Sequence, residues 1–351
     1  MDALQLLTPD GELRSDCPLT LDVTPELCRD LYRRMRLARR FDEEAYALQR
    51  QGELGLWLQS LGQEAAQVGS ISAIQPTDHV FPSYREHAAA LCRGITPVEL
   101  LTQWRGASNS GWDPQRYRFH IYTLVLAVQL LHATGYAIGA HLDGADEMVL
   151  AYFGDGASSE GDTSEALNWA AVASAPVLFF CQNNQCAIAT PTQLQMRTPL
   201  HQRAVGFGVE GHVVDGNDVL AVYALTRQVA DAVRESWEPA LIEAVTYRMG
   251  GHSTADDPTR YRTSAEVDSW RARDPIARLG LLLGRQGWAD DAFRDELRTE
   301  CEDLAADARR ACAGIEPMSI DELYTSVFVD EPGWLRRERE ELQAYLGSLV
   351  E

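Results

Sequence analysis

The sequence predicts an α/β fold, a doubly wound and mostly parallel sheet with helical extensions at both ends of the chain. Short apolar runs at 147–153, 176–181, 212–215 and 240–247 alternate with segments long enough to form a helix. Helix-start sequences precede the first of these runs, and the sequence beyond about residue 264 again has a helical pattern. Alternation of strands and helices is typical of a parallel sheet, whose strands are joined by crossover helices.

The length and composition indicate a globular protein of one or two domains. The chain has 351 residues, of which 45% are hydrophobic. Domains of roughly 150 residues would allow two, but one large α/β domain with a helical tail fits the length equally well. We expect an irregular N-terminal segment over 1–23, an α/β domain over 24–263, and a helical C-terminal region over 264–351 that packs on it.

The charge balance excludes several classes of function. Acidic residues outnumber basic ones by 52 to 31, for a formal net charge of −21. Such a protein repels phosphate backbones and anionic lipids, so we expect neither nucleic acid nor a membrane as a partner. The N-terminus lacks a basic leader with an apolar run, so the cytoplasm is the expected location. Seven cysteines without C-x-x-C spacing argue against a disulfide framework or a structural zinc site.

Helix boundaries can be predicted from capping sequences. Thr24-Pro25-Glu26 provides a cap, a proline at the first helical position and an early acid, and the apolar spacing of three and four continues almost to Gly52. Thr96-Pro97-Val98-Glu99 is a capping-box sequence at the start of a second helix. In the C-terminal region we expect helices over 265–284 and 289–313.

The chemistry of the chain is predicted to lie between residues 147 and 189. One predicted strand ends in Gly154-Asp155-Gly156, a helix and a second strand follow, and the second strand ends in Asn183-Asn184. Both strands of a right-handed βαβ unit run the same way, so Asp155 and Asn184 should meet at one edge of the sheet. A carboxylate and an amide carbonyl are hard donors suited to Mg²⁺, which usually completes its coordination with phosphate oxygens and water.

The two glycines that flank Asp155 are a second indication of a phosphate-binding site. Gly154 and Gly156 would let the backbone approach phosphate groups, and the following helix would point its positive N-terminus at them. A lone Gly-Asp-Gly is also an ordinary turn, but ordinary turns do not require two adjacent amides at the end of the next strand. The expected ligand is therefore a magnesium-bound diphosphate.

This arrangement resembles the signature of thiamine-diphosphate enzymes, in which Gly-Asp-Gly is followed at this distance by Asn-Asn. Three blocks narrow the resemblance to the α subunits of 2-oxo acid dehydrogenases: 81–87 (FPSYREH), 152–162 (YFGDGASSEGD) and 246–253 (TYRMGGHS). The likeness spans about residues 25–335. It implies a doubly wound fold of the thiamine-diphosphate-binding type and an α₂β₂ heterotetramer that binds the cofactor between α and β subunits.

The resemblance also implies which residues form the site. Asp155, Asn184 and the main-chain carbonyl of Cys186 would hold Mg²⁺, because a thiol is too soft to prefer that ion. Besides Asp155 and Asn184, the residues expected to contact thiamine diphosphate are Ser83, Tyr84, Arg85, Leu126, Gly154, Gly156, Ala157 and His252.

Two residues are expected to take part in catalysis, Arg248 and His252. An imidazole such as that of His252 could stabilise developing charge or transfer a proton during acyl transfer. Structural alternatives stay open for three of the site residues: a surface ion pair of Arg85 with Glu86, an exposed loop histidine at His252, and an ordinary core leucine at Leu126.

The implied reaction is the oxidative decarboxylation of a 2-oxo acid, with transfer of the acyl group to a lipoyl group on a separate acyltransferase. The glutamate that activates the cofactor would belong to the β subunit, so the chain alone should turn over essentially nothing. A branched-chain substrate of the 2-oxoisovalerate type is favoured, because Leu56, Trp57 and Leu58 lie where relatives shape the acyl pocket and would give it a bulky apolar wall. The alternative interpretation of these three residues is that they belong to the ordinary core. Alternatives are a pyruvate dehydrogenase α subunit, another thiamine enzyme of the acetoin-cleaving or transketolase type, or an inactive scaffold.

The segment 123–129 departs from the common family pattern. Thr123, Val125 and Val128 stand where many relatives place Ser, Pro and Thr around a monovalent cation, and only Gln129 is retained. This argues against a bound K⁺.

Ser253 matches the loop serine that kinases phosphorylate in mitochondrial relatives, a regulation that we do not expect here.

Overall fold

The computed structural model describes residues 3–108 and 110–349. The strands in these residues are β1 (His79–Phe81), β2 (Val149–Gly154), β3 (Val177–Asn183), β4 (Cys186–Ala187), β5 (Thr190–Pro191), β6 (Glu210–Asp215) and β7 (Ala240–Val245). Five of them form one sheet in the order β1-β2-β3-β7-β6, and every neighbouring pair in it is parallel. The short strands β4 and β5 form an antiparallel hairpin after β3. The predicted parallel sheet is confirmed.

All four predicted strands are present, as β2, β3, β6 and β7, and their ends shift by at most two residues. Strand β1 was not predicted. It has only three residues and is followed by Pro82, which has no backbone N–H to extend the ladder. So short an apolar run has no recognisable period in the sequence.

Helices cover both faces of the sheet. Those in the described residues are α1 (Pro25–Arg50), α2 (Glu64–Ala73), α3 (His87–Cys92), α4 (Pro97–Trp104), α5 (Pro114–Tyr117), α6 (Val128–Asp143), α7 (Gly161–Val172), α8 (Thr192–Gln195), α9 (Leu200–Val205), α10 (Val219–Ser236), α11 (Ser264–Arg271), α12 (Pro275–Arg285), α13 (Asp291–Ala313), α14 (Ile320–Thr325) and α15 (Gly333–Ser348). The two capping predictions are confirmed, because Thr24 Oγ1 accepts from the N–H of Leu27 and a complete capping box forms between Thr96 and Glu99.

Side chains alternate between the two faces of each strand and so build two apolar cores. Leu150 and Tyr152 of β2 pack in a core with α1, α2 and α10, whereas Ala151 and Phe153 pack in a second core with α6, α7 and α9. A sheet that is buried on both faces in this way is a doubly wound α/β fold. The predicted fold class is confirmed. Within the described residues, no helix combines the length and the apolarity that a bilayer span requires.

The N-terminal segment packs along the β6 edge of the sheet. Between residues 3 and 23 it forms isolated bridges, including a parallel one between Leu4 and Val214. The N–H groups of Leu6 and Leu7 donate to Asp218 Oδ2 at 2.7 and 2.6 Å, and Leu7 is buried in the main core. These contacts attach the segment to the sheet although it forms no regular element.

The C-terminal helices differ from the prediction in one respect. The expected helix over 265–284 is two helices, α11 and α12. Pro275 lacks the backbone N–H that a continuous helix needs, and the Asp274 carboxylate caps the second helix by accepting from the N–H of Ile276 at 3.0 Å. The helix expected over 289–313 is α13.

Helices α12 and α13 bury leucines such as Leu279 and Leu297 in the same core as α1. The C-terminal region and the sheet therefore share one apolar core. The division of the chain at 23/24 and 263/264 stays a prediction.

Candidate cofactor and metal site

A cavity of about 360 Å³ opens at the carboxyl edge of β2 and β3. Gly154 and Gln182 are paired across these two strands, so the turns that follow them lie side by side. Every residue predicted to hold metal, contact cofactor or take part in catalysis lines this cavity: Ser83, Tyr84, Arg85, Leu126, Gly154, Asp155, Gly156, Ala157, Asn184, Cys186, Arg248 and His252. The structure therefore brings all the predicted site residues together, from loops as far apart in sequence as Ser83 and His252.

Three oxygen atoms converge in the cavity wall. When Asn184 Nδ2 donates to Gln63 Oε1 at 2.8 Å, Asn184 Oδ1 lies 3.3 Å from Asp155 Oδ1 and 3.2 Å from the carbonyl oxygen of Cys186. Acceptors this close repel each other unless a proton or a cation lies between them. A half-turn of the Asn184 amide would let Nδ2 donate to both oxygens instead. The same atoms can thus form either a hydrogen-bonded cluster or an oxygen site for a divalent cation.

Asp155 is buried, and two donors orient its carboxylate. Thr192 Oγ1 and Gln195 Nε2 both donate to Oδ2 at 2.9 Å, which leaves Oδ1 facing Asn184. Burial raises the pKa of Asp155, and these two hydrogen bonds partly offset the increase. Thr192 and Gln195 were not predicted from the sequence. Their spacing of three, in a helical turn soon after the Asn-Asn pair, was the available indication.

The β4–β5 hairpin provides the third oxygen. The Cys186 thiol donates to the carbonyl of Ile188 at 3.3 Å, and the Cys186 carbonyl oxygen faces Asn184. A Cβ on Gly156 would lie only 2.8 Å from the Cβ of Ala187, so glycine allows this hairpin to approach the turn after β2. An added Cβ on Gly154 would find its nearest neighbour at 4.0 Å, so no protein contact requires glycine there.

The turn after β2 also differs from the predicted helix start. Asp155–Ser159 form a 3₁₀ turn, and α7 begins only at Gly161. In the part of the chain that the structure describes, no three His, Cys, Asp or Glu side chains are grouped as a metal site. A cation here would therefore depend on an amide and a backbone carbonyl as well as on the single carboxylate of Asp155.

Arg85 is a buried cation that forms no salt bridge with the described residues. It is 5% exposed, and its Nη1 and Nη2 donate to the carbonyls of Gln59 at 2.6 Å and His252 at 2.9 Å. The alternative of a surface ion pair with Glu86 is wrong, because the Glu86 carboxylate accepts from Ser83 Oγ and Gln182 Nε2 instead. Burial lowers the pKa of Arg85. A guanidinium that is buried without a carboxylate is costly, and an anion entering the cavity would offset that cost.

Arg248 is the second buried guanidinium in the wall. Its Nη1 donates to the Cys186 carbonyl at 2.9 Å, and its Nη2 donates to the Ile188 carbonyl at 2.7 Å and to the Tyr261 hydroxyl at 2.9 Å. Its Nε is buried and has no hydrogen-bond partner in the described part of the chain. Arg248 therefore ties the hairpin that holds Cys186 to the loop after β7, and it adds a second positive charge to the site.

His252 lies in that same loop and is half-buried. Its backbone N–H donates to Asp256 Oδ2 at 2.7 Å, and its Nδ1 lies 3.4 Å from Arg85 Nη2. Burial, together with the positive charges of Arg85 and Arg248, lowers the pKa of His252 to about 4. The imidazole is therefore neutral near pH 7. Because Arg85 can only donate, Nδ1 is the acceptor in this contact and the ring proton is on Nε2.

The predicted acyl-pocket wall is wrong. Leu56, Trp57 and Leu58 do not line the cavity. Trp57 is fully buried, donates through Nε1 to Asp42 Oδ1 at 2.9 Å, and stacks on the ring of His87 at 4.2 Å. These residues belong to the core between α1 and the sheet, which was the alternative interpretation of the segment.

Comparison with known proteins identifies the family. Residues 32–314 match the family described as Dehydrogenase E1 component. A 3-methyl-2-oxobutanoate dehydrogenase subunit alpha from Mycobacterium tuberculosis is 40% identical over 347 residues, which cover 99% of this chain and 95% of the relative. The mitochondrial 2-oxoisovalerate dehydrogenase subunit alpha of Mus musculus is 37% identical, over 91% of this chain and 75% of the relative. A pyruvate dehydrogenase E1 component subunit alpha from Staphylococcus aureus is 33% identical, over 97% of this chain and 92% of the relative. The chain therefore belongs to the dehydrogenase E1 component family, as its sequence blocks predicted.

Proposed function

We propose that this chain is the α subunit of a branched-chain 2-oxo acid dehydrogenase, which binds thiamine diphosphate and Mg²⁺ and acts on 3-methyl-2-oxobutanoate (2-oxoisovalerate). The observation that supports it best is the convergence of the Asp155, Asn184 and Cys186 oxygens beside the buried guanidiniums of Arg85 and Arg248. The names of the relatives support the substrate, and the similarity to a pyruvate dehydrogenase subunit makes pyruvate the second candidate.

The residues present fit the cofactor. Asp155, Asn184 and the Cys186 carbonyl would hold Mg²⁺, and Arg85 would donate charge-assisted hydrogen bonds to diphosphate oxygens. Thiamine diphosphate, when bound, supplies the ylid and the electron sink for decarboxylation. Arg248 keeps the Cys186 carbonyl in place through the hydrogen bond from its Nη1.

His252 would act as a neutral donor in this site. Its Nε2 carries the ring proton, because Nδ1 accepts from Arg85. A neutral imidazole N–H can donate to an oxygen on which negative charge develops, without first losing or gaining a proton. The low pKa of His252 therefore suits a hydrogen-bond donor better than a general base that must take up a proton at neutral pH.

We expect binding of thiamine diphosphate to raise the pKa of His252. The diphosphate would place negative charge beside the guanidiniums of Arg85 and Arg248, whose positive charge helps to lower that pKa to about 4. Near pH 5, between the lowered pKa and the ordinary value of about 6.5, cofactor binding should then be accompanied by proton uptake. Calorimetry of the αβ complex in buffers of different ionisation enthalpy measures this uptake. A His252→Gln complex with the same uptake would contradict the assignment.

Exposed apolar residues around the cavity support the proposal that a second chain completes the site. Leu126 and Ile188 line the cavity and are exposed, and Leu124 and Val125, which directly precede Leu126 in the chain, are exposed as well. Exposed apolar residues grouped at the entrance of a polar site are typical of a protein interface. The names of the relatives, which are α subunits, favour a β subunit as this partner in an α₂β₂ complex. A lipoyl-bearing acyltransferase would accept the acyl group, and a cytoplasmic location stays a prediction.

The test is to assay the purified α chain, the β subunit and the co-purified pair with 2-oxoisovalerate and with pyruvate. We expect CO₂ release and acyl transfer to a lipoyl domain only from the pair, with 2-oxoisovalerate preferred. Activity of the α chain alone would contradict the shared site. A pair that is inactive with every 2-oxo acid would favour the inactive scaffold, and a preference for pyruvate would favour the second candidate.

A further inference from the structure

Gln63, the residue before α2, has a place in the site that its sequence did not indicate. It is 1% exposed and lines the cavity. Its Oε1 accepts from Asn184 Nδ2 at 2.8 Å, whereas its Nε2 is buried without a hydrogen-bond partner among the residues that the structure describes. Its backbone is held on both sides, because its N–H donates to Ser60 and its carbonyl accepts from Gln67. The side chain of Gln63 therefore lies against Asn184, and in this orientation its amide has one donor to spare.

The orientation of the Gln63 amide determines that of Asn184. If Gln63 offers Oε1, Asn184 must present Nδ2 to it, and Asn184 Oδ1 then faces Asp155 Oδ1 and the Cys186 carbonyl. If Gln63 offers Nε2, Asn184 turns by half a turn and its Nδ2 donates to those two oxygens. Only the first arrangement has three oxygens facing one point, as a divalent cation requires.

We propose that Gln63 is the positioning residue of this metal site: it accepts from Asn184 Nδ2, so that Asn184 Oδ1 faces the cation, and it donates from Nε2 to an oxygen of the bound diphosphate. The assignment depends on the proposed function, since it concerns the same cation and the same cofactor. It is supported by the unpartnered Nε2, because a buried donor without an acceptor costs free energy that an anion in the cavity would recover.

Two substitutions separate the two roles of Gln63. Gln63→Leu removes both the acceptor and the donor, so the Asn184 amide loses its orientation. Gln63→Glu keeps an acceptor for Asn184 Nδ2, but it loses the donor and places a negative charge beside the diphosphate. A matched control is Gln103→Leu in α4, where one amide atom, in this case Oε1, is also buried without a partner among the described residues but the residue does not line the cavity.

The experiment measures two affinities of the αβ complex. Mn²⁺ affinity is obtained by electron paramagnetic resonance at saturating thiamine diphosphate, and cofactor affinity by calorimetry at saturating Mn²⁺. We expect Gln63→Leu to weaken Mn²⁺ binding by about 10- to 100-fold, as for other residues that orient metal ligands. We expect Gln63→Glu to keep Mn²⁺ affinity within about threefold and to weaken cofactor binding at least about tenfold, since one charge-assisted contact is lost and a repulsion is added. Gln103→Leu should change neither affinity.

If Gln63 had a merely structural role, Gln63→Glu would weaken Mn²⁺ binding and cofactor binding to the same extent. Unchanged Mn²⁺ affinity in Gln63→Leu would overturn the positioning role, and unchanged cofactor affinity in Gln63→Glu would overturn the donor role. If Gln63→Leu fails to fold in a thermal scan, Gln63→Glu alone decides, because equal losses of both affinities would contradict the proposal. A wild-type complex that binds neither ligand would instead refute the proposed function.

Discussion

Replacement of Asp155 by alanine or asparagine is expected to weaken the magnesium-dependent binding of thiamine diphosphate to the αβ complex by at least about 100-fold. Residues that only orient metal ligands already contribute about 10- to 100-fold to metal affinity, and Asp155 has the only carboxylate among the three converging oxygens. In Asp155→Asn the new amide can also donate to Asn184 Oδ1, which would stabilise the hydrogen-bonded cluster in place of the cation. The measurement is cofactor affinity with Mg²⁺ and with a chelator.

The stability of the same variants separates a metal ligand from a structural residue. Asp155 is almost fully buried, and its burial raises its pKa, so its charge does not stabilise the empty fold. We therefore expect Asp155→Asn to unfold, without cofactor, at nearly the same temperature as the unmodified chain. Asp162→Asn in α7 is the matched control, since Asp162 does not line the cavity. If Asp155→Asn kept the full magnesium dependence, the metal assignment would be wrong.

Replacement of Arg85 by methionine is expected to have opposite effects on binding and on stability. Loss of the charged donor should weaken cofactor binding by about 3 kcal/mol, roughly 100-fold, which is the upper end of the contribution of one hydrogen bond to a charged group. The empty protein should be at least as stable as before, because apolar residues of similar volume often replace buried charges without loss. The stability gained by removing the buried charge is partly offset, since the carbonyls of Gln59 and His252 lose their hydrogen-bond donor.

Arg85→Lys provides the control for charge. Lysine keeps the positive charge but cannot present two donors in a planar fork, so we expect an affinity between those of the unmodified chain and Arg85→Met. Cofactor titration and thermal unfolding of the cofactor-free complex measure the two effects. If Arg85→Met lowered the unfolding temperature by several degrees and left cofactor affinity unchanged, Arg85 would be a structural residue.

The parts of the site that could be predicted from the sequence lie in one βαβ unit. Asp155 and Asn184 follow consecutive strands, and consecutive parallel strands joined by a right-handed crossover place their carboxyl ends together. The strands could be predicted because continuous apolar runs are typical of a sheet buried on both faces. The helix starts at Thr24 and Thr96 could be predicted because capping depends on residues three positions apart.

The remaining contacts of the site come from segments that are distant in sequence. Gln63 reaches Asn184 from the start of α2, and Thr192 and Gln195 reach Asp155 from α8. No local pattern relates Gln63 to Asn184, and the spacing of three between Thr192 and Gln195 indicates a shared helix face but not that this face meets Asp155. The same reason explains the error at Trp57, since an apolar segment near a predicted pocket and an apolar segment in the core have the same composition.

By itself the sequence determined the order of strands and helices and the two turns that carry a carboxylate and an amide, because these depend on residues that are close together in the chain. It also determined the family, because the family resemblance lies in short continuous blocks. Only the tertiary structure decided which buried polar atoms lack a partner among the described residues, as Gln63 Nε2 and Arg248 Nε do, and which way the Asn184 amide can point. Burial and hydrogen-bond geometry are properties of segments brought together by packing, and these properties distinguish a site that can bind a cation and an anion from a turn with the same residues.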